Sequence, residues 1–173
     1  AVASYFINAG AMDLTGADIQ SYKRYGAPII EEVLKAAVII YLFTRARIGF
    51  LIDAAIMGFA VGTGFAFVEN LYYLYTLPEA NIGVWIVRGF GTAVMHGGTT
   101  AIFAILAKGR ADRGKARAGF AFLPAFAAAA GLHGLFNHFF VSTVISTGVV
   151  LVVMPACLLW AFHRSEGAMR GWL

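Results

Sequence analysis

An all-α transmembrane helix bundle is the fold class this chain predicts, and three observations predict it. Hydrophobic residues make up 60% of the sequence and charged ones 13%, against about a quarter charged in a soluble domain. The apolar residues gather into five long runs joined by short connections. Most of the few ionisable residues inside those runs fall at one shared depth. A mean hydropathy of +0.77 agrees. With no internal repeat, the economical organisation is an interfacial lead over 1–27, a transmembrane bundle over 28–163 and a cytoplasmic tail over 164–173.

The lead is mixed in character and opens with Ala1 rather than Met, without the basic region or cleavage site of a signal peptide, so it reads as truncated at its start. Thr15-Gly16-Ala17-Asp18 has the form of a helix start, and Ile19 and Tyr22 then share one face of a short helix ending near Gly26. That helix is expected to lie in the membrane interface.

The five apolar runs are Pro28 to Phe43, Ile48 to Leu77, Ile82 to Ala107, Ala118 to Val141 and Thr143 to Phe162. A span takes roughly 17 to 25 residues, so the first is short and the second long enough to tilt, and about five spanning helices are expected. Pro28 suits a first helical turn, where its missing N–H has no partner to lose. Small residues at Gly58, Gly62, Gly64, Gly97 and Gly98 let helices approach closely in lipid.

Orientation follows from the loops. Arg45 and Arg47 lie in one, and Lys108, Arg110, Arg113, Lys115 and Arg117 crowd another two spans later, so both are expected on the cytoplasmic side. The intervening connections, Thr76 to Asn81 and around Ser142, carry no Lys or Arg. The C-terminus is then cytoplasmic and the Pro28 end of the first helix outside, with Lys23 and Arg24 as the dissenting charges. This distribution also explains the formal net charge of +4 without nucleic acid. Cys157, the lone cysteine, forms neither an internal disulfide nor a multi-cysteine metal site.

Counting along the spans brings the polar groups to one level. Glu31 and Glu32 lie just after Pro28, Glu69 and Asn70 in the outer part of the second span, Arg88 and His96 on the third, and His133 and Asn137 towards the outer end of the fourth. At 1.5 Å per residue most of them fall within roughly 5 to 20 Å of the outer boundary. Ionisable groups inside a span are costly, so a convergent set of them reads as a site. Spacing suggests partners: Glu31 with Lys35 at i,i+4, Glu32 turned about 100° away and free for another partner, and Asn137 orienting His133 from four residues on. Arg88, Thr92 and His96 progress along one stripe. Bland readings stand beside these, as a structural pair, satisfied core histidines and a snorkelling Arg88. Asp53 has no partner to name, His138 and His163 read as interfacial, and Tyr72, Tyr73 and Tyr75 as an aromatic belt.

Two adjacent carboxylates in a dry site can take a proton from water and return it to a leaving amine, while His and Asn donate to a developing oxyanion. The sequence has no Gly-x-Ser-x-Gly, no His-Glu-x-x-His and no intramembrane aspartate pair. Glutamate-driven hydrolysis without a cofactor is the first expectation. A divalent metal on Glu32, Glu69, His96 and His133 is the alternative.

Glu31-Glu32-x-x-Lys35, Gly64-Phe65-Ala66-Phe67-Val68-Glu69-Asn70, Arg88 with His96, and Gly131-Leu132-His133-Gly134-Leu135-Phe136-Asn137 together resemble the ordered motifs of PrsW-type intramembrane proteases, relatives of the CAAX prenyl proteases and Abi proteins. The resemblance covers roughly Pro28 to Phe140. It implies a glutamic protease of a prokaryotic cytoplasmic membrane that cuts a single-pass membrane protein, such as an anti-sigma factor, near its extracytoplasmic face. By position it gives Glu31 and Glu32 the water-activating role, with Glu69, His96 and His133 completing the site and Lys35, Asn70, Arg88 and Asn137 in support. Family members usually carry more membrane helix ahead of the first motif than this lead. Two readings compete: a proton-coupled transporter relaying protons through the same Glu and His, and a non-catalytic relative that binds a membrane partner. The oligomeric state is not legible.

Overall fold

Apolar runs whose backbone has no water to bond to must satisfy it internally, and each run here does so as a helix. A computed structural model describes residues 1–76, 82–112, 122–138 and 143–170, and within these every regular element is helical. In order they are α1 (Val2–Thr15), α2 (Ile19–Ser21), α3 (Ala27–Thr44), α4 (Leu51–Thr76), α5 (Ile82–Ile86), α6 (Ala93–Asp112), α7 (Leu123–Asn137) and α8 (Thr143–Arg170). Two π-helical stretches, Tyr22–Gly26 and Val87–Thr92, run without a break into α3 and α6.

The helix start expected at Thr15 is divided between two helices. Gly16, at φ 61°, closes α1 in the left-handed conformation that glycine adopts without steric cost. Asp18 opens α2 by accepting from the backbone N–H groups of Gln20 and Ser21, each at 3.0 Å. Asp53, for which the sequence names no partner, reaches back to the N–H groups of Gly49 and Phe50 at 3.0 and 2.8 Å and so caps α4. Its place near a span end is that of a cap.

Among the described residues, two helices are long and apolar enough to cross a membrane by length and composition, Leu51–Thr76 and Gly89–Asp112. The α3 helix has 18 residues but carries Glu31, Glu32 and Lys35, and α7 has 15. The α8 helix continues past Phe162, the expected end of the last span, to Arg170. Leu77, the start of the fourth run before Phe122 and its end after His138 lie outside the described residues.

The pair α4 and α6 is welded by glycine. A Cβ on Gly62 would stand 2.0 Å from the His96 carbonyl oxygen, and one on Gly58 would stand 2.6 Å from Ala101 Cα. Behind this pair, Ala36, Ile39, Ala54, Phe103, Ala104, Ala107, Ala125 and Ala129 form an alanine-rich core that joins α3, α4, α6 and α7. Large apolar side chains such as Ile29, Val33, Leu71 and Val152 face outwards, as they do where the solvent is lipid. The charged residues Glu31, Glu32 and Lys35 of α3 are buried instead.

Candidate active site

Three helices bring ionisable groups into the interior at the Pro28 end of α3. From α3 come Glu31, Glu32 and Lys35, from α6 His96, and from α7 His133, all buried. Glu69 reaches them from α4 with about a fifth of its side chain exposed.

Glu32 is the hub. Its Oε1 accepts from Lys35 Nζ at 2.5 Å, from Thr99 Oγ1 at 3.0 Å and from His133 Nδ1 at 2.9 Å. Donation from Nδ1 leaves His133 Nε2 as the bare lone pair, and that nitrogen lies 3.7 Å from Glu31 Oε2. Lys35 turns its second N–H towards His96 Nδ1 at 2.9 Å, and His96 Nε2 meets Glu69 Oε2 at 3.2 Å. The two imidazoles stand edge to face with centroids 4.7 Å apart. Phe65 closes the apolar side, its ring 5.1 Å from both His96 and the Lys35 ammonium.

These contacts correct several expected pairings. Lys35 binds Glu32, not Glu31, because the contacts of α3 with α6 and α7 turn Glu32 towards Thr99 and His133. Glu32 is accordingly the most heavily partnered carboxylate of the cluster, and Glu31 keeps a buried Oε2 with no hydrogen-bond partner among the described residues. Asn137 does not orient His133. Its amide donates to the Lys23 carbonyl at 3.1 Å, in the π-helical stretch that leads into α3. Thr92 leaves the expected stripe to exchange hydrogen bonds with Asn70 at 3.0 and 3.3 Å, one turn from the Glu69–His96 contact. The side chain of Arg88 lies outside the described residues. Thr99 carries no signal in the sequence beyond its place three residues after His96.

Glu31, His96 and His133 each offer one ligand atom, and these atoms lie within 4.8 Å of one another. This differs from the expected alternative set of Glu32, Glu69, His96 and His133: Glu31 joins it, Glu32 stands behind His133, and Glu69 is not among the three. Two imidazole nitrogens and a carboxylate oxygen suit zinc. A carboxylate behind a ligating imidazole is the usual support of such a site, and the unpartnered Glu31 oxygen is left without a role unless a cation or donor meets it. The residues fit a divalent metal on these grounds. Both His96 nitrogens are engaged, so its joining the set would take one of those two hydrogen bonds.

The profile of the PrsW family, described as an intramembrane metalloprotease, matches residues 1–161. The chain belongs to the PrsW family. It is thus an intramembrane protease by membership, acting on membrane-protein substrates within a bilayer. The match takes in the lead as well as the four motif-bearing helices. No curated protein and no solved structure matches the chain.

Proposed function

We propose that this PrsW-family chain is a metal-dependent intramembrane endopeptidase that hydrolyses a peptide bond of a single-pass membrane protein in the outer half of the bilayer. The observation that carries the reading is Glu31 Oε2, buried, without a hydrogen-bond partner among the described residues and facing two imidazoles. Glu31, His96 and His133 would hold the metal. Bound there, it would act as a Lewis acid on the scissile carbonyl and make water a stronger nucleophile at neutral pH.

The rest of the work falls to the chain's own groups. Glu32 fixes the His133 tautomer by accepting its Nδ1 proton. Lys35 offsets the buried carboxylate charge. Glu69, the most accessible of the three glutamates, takes a proton from the attacking water and returns it to the leaving amine. Asn70 with Thr92 holds α4 in register with the stretch leading into α6, and Asn137 holds the approach to α3.

The topology that goes with this reading has five spans, with α5 and α6 as one, a cytoplasmic C-terminus and a lead lying in the interface. An extracytoplasmic cut suits an anti-sigma-factor-like substrate in a prokaryotic cytoplasmic membrane. A glutamic mechanism on the same residues has one observation in its favour: the Lys35 ammonium already supplies a buried cation to the cluster.

Cleavage of a tagged single-pass protein by purified protein in liposomes separates the two. Metal dependence predicts that a strong chelator abolishes cleavage and that added zinc restores it. Undiminished cleavage in chelator would select the glutamic mechanism.

A further inference from the structure

Beside the site lies a groove of about 460 Å³. Leu34, Lys35 and Val38 of α3 form one wall, Val61, Gly64 and Val68 of α4 the other, and the first turn of α1 a third side. Apart from Lys35 these side chains are apolar or absent. Lys35 is also the residue that touches Glu32 and His96, so the groove is continuous with the catalytic cluster.

Its direction follows from helix geometry. From Glu31 to Val38 the α3 helix advances about 10 Å, and from Glu69 back to Val61 the α4 helix retreats about 12 Å. Both walls therefore leave the cluster in the same sense, away from the Pro28 end of α3. The groove runs from the reacting groups into the apolar depth of the bundle.

Gly64 shows what the groove is shaped for. On the same helix Gly58 and Gly62 are needed for packing, since a Cβ on either would strike α6. Among the described residues a Cβ on Gly64 would meet nothing within 4 Å, so helix packing does not require the glycine. A glycine inside a helix is less favourable than alanine. What its lack of a side chain does provide is an open strip of α4 backbone on the groove wall, beside the cluster.

Resting on the proposed protease function, we infer that this groove is the docking surface for the apolar segment of the substrate, and that Gly64 is the residue that lets the substrate backbone approach α4. The occupant is an apolar stretch of a single-pass membrane protein. Its side chains match the Leu34, Val38, Val61 and Val68 lining, and its outer end lies at the Glu31–Glu69 level where the bond is cut.

Two readouts test this. In cleavage assays with a tagged single-pass protein in liposomes, Gly64→Leu should lower kcat/KM by roughly tenfold or more, with Gly64→Ala between it and wild type. Gly148→Leu, a matched change at an open position on α8, should cleave as wild type does. Equal cleavage by Gly64→Leu and wild type would overturn the docking surface and leave the protease reading intact. The second readout does not need activity. In a Cys157→Ala background, Gly64→Cys should form a disulfide with a single cysteine placed along a synthetic single-pass peptide of about 20 apolar residues. Val152→Cys, exposed on α8, is the control. No preference for position 64 would sink the inference, whereas cross-linking there by a protein that cleaves nothing would keep the groove and remove the protease function.

Discussion

Within α3 two kinds of interior meet. Its first half turns Glu31, Glu32 and Lys35 inwards, while its second half turns Ala36 and Ile39 into a core with Phe103, Ala104, Ala107, Ala125 and Ala129. Burying an ion costs several kcal/mol even after relaxation, so the first half spends stability. The second half recovers it by close contact between small side chains, each contact slight and the sum large. The difference teaches where each task resides: the alanine-rich half holds the helices at spacings that the charged half could not impose on itself.

The largest expected effect breaks the charged half alone and separates its two glutamates. Glu31→Gln should lower cleavage on the order of 10³-fold or more and leave thermal stability in detergent close to wild type, because Glu31 Oε2 has no hydrogen bond to lose. Glu32→Gln should lower both, stability by about 3–5 kcal/mol, since it strands the Lys35 ammonium in the interior. Adding Lys35→Met to Glu32→Gln should recover much of the stability and none of the cleavage. Equal melting of the two single variants would show that the Glu32 hub is not what holds the cluster together.

A smaller effect sharpens the boundary between the halves. Gly62→Ala and Gly58→Ala both force α4 away from α6, each at about 1–3 kcal/mol. Only the first strikes the backbone of a cluster residue, His96, while Gly58 lies against Thr100 and Ala101. Cleavage per folded molecule should therefore fall in Gly62→Ala and stay near wild type in Gly58→Ala. A comparable loss in both would mean that helix spacing along the whole α4–α6 seam, rather than His96 placement, sets activity.

How much of this was legible in the sequence follows the same division. The helical class was legible because hydropathy is a local property, and the convergence of Glu31, Glu32, Glu69, His96 and His133 because helix rise converts residue number into depth. Rotation about the helix axis was not. Spacing alone paired Glu31 with Lys35, yet α3 is turned by its contacts with α6 and α7 so that Glu32 takes the lysine. Thr99 is silent in the sequence for a related reason: a threonine in an apolar helix usually bonds its own backbone, as Thr100 does with the His96 carbonyl at 2.8 Å, and only the tertiary approach of Glu32 gives Thr99 a further partner. Asp18 and Asp53 are caps whose partners depend on where neighbouring helices start, a boundary that composition marks poorly. The five-span count rests on apolar runs, and the buried charges Glu31, Glu32 and Lys35 keep α3 from passing as a span by composition.

The smallest effect concerns the joint between the lead and the charged half. Asn137 lies one turn beyond His133 on α7, and its amide donates to the Lys23 carbonyl in the π-helical stretch that enters α3. The bond is exposed, so Asn137→Ala should cost only about 0.5–1 kcal/mol. Its consequence for cleavage should nevertheless exceed that of an arbitrary surface bond, because the stretch sets the angle at which Glu31 and Glu32 approach His133. A loss of a few-fold in kcat with KM near wild type is expected from a residue that acts through positioning, and Asn137→Asp, which cannot donate, should resemble Asn137→Ala. If Asn137→Asp restored activity, or if KM rose while kcat held, the amide would belong to the substrate's contacts instead. Asn137 would then join Gly64 in reading the substrate rather than in holding α3.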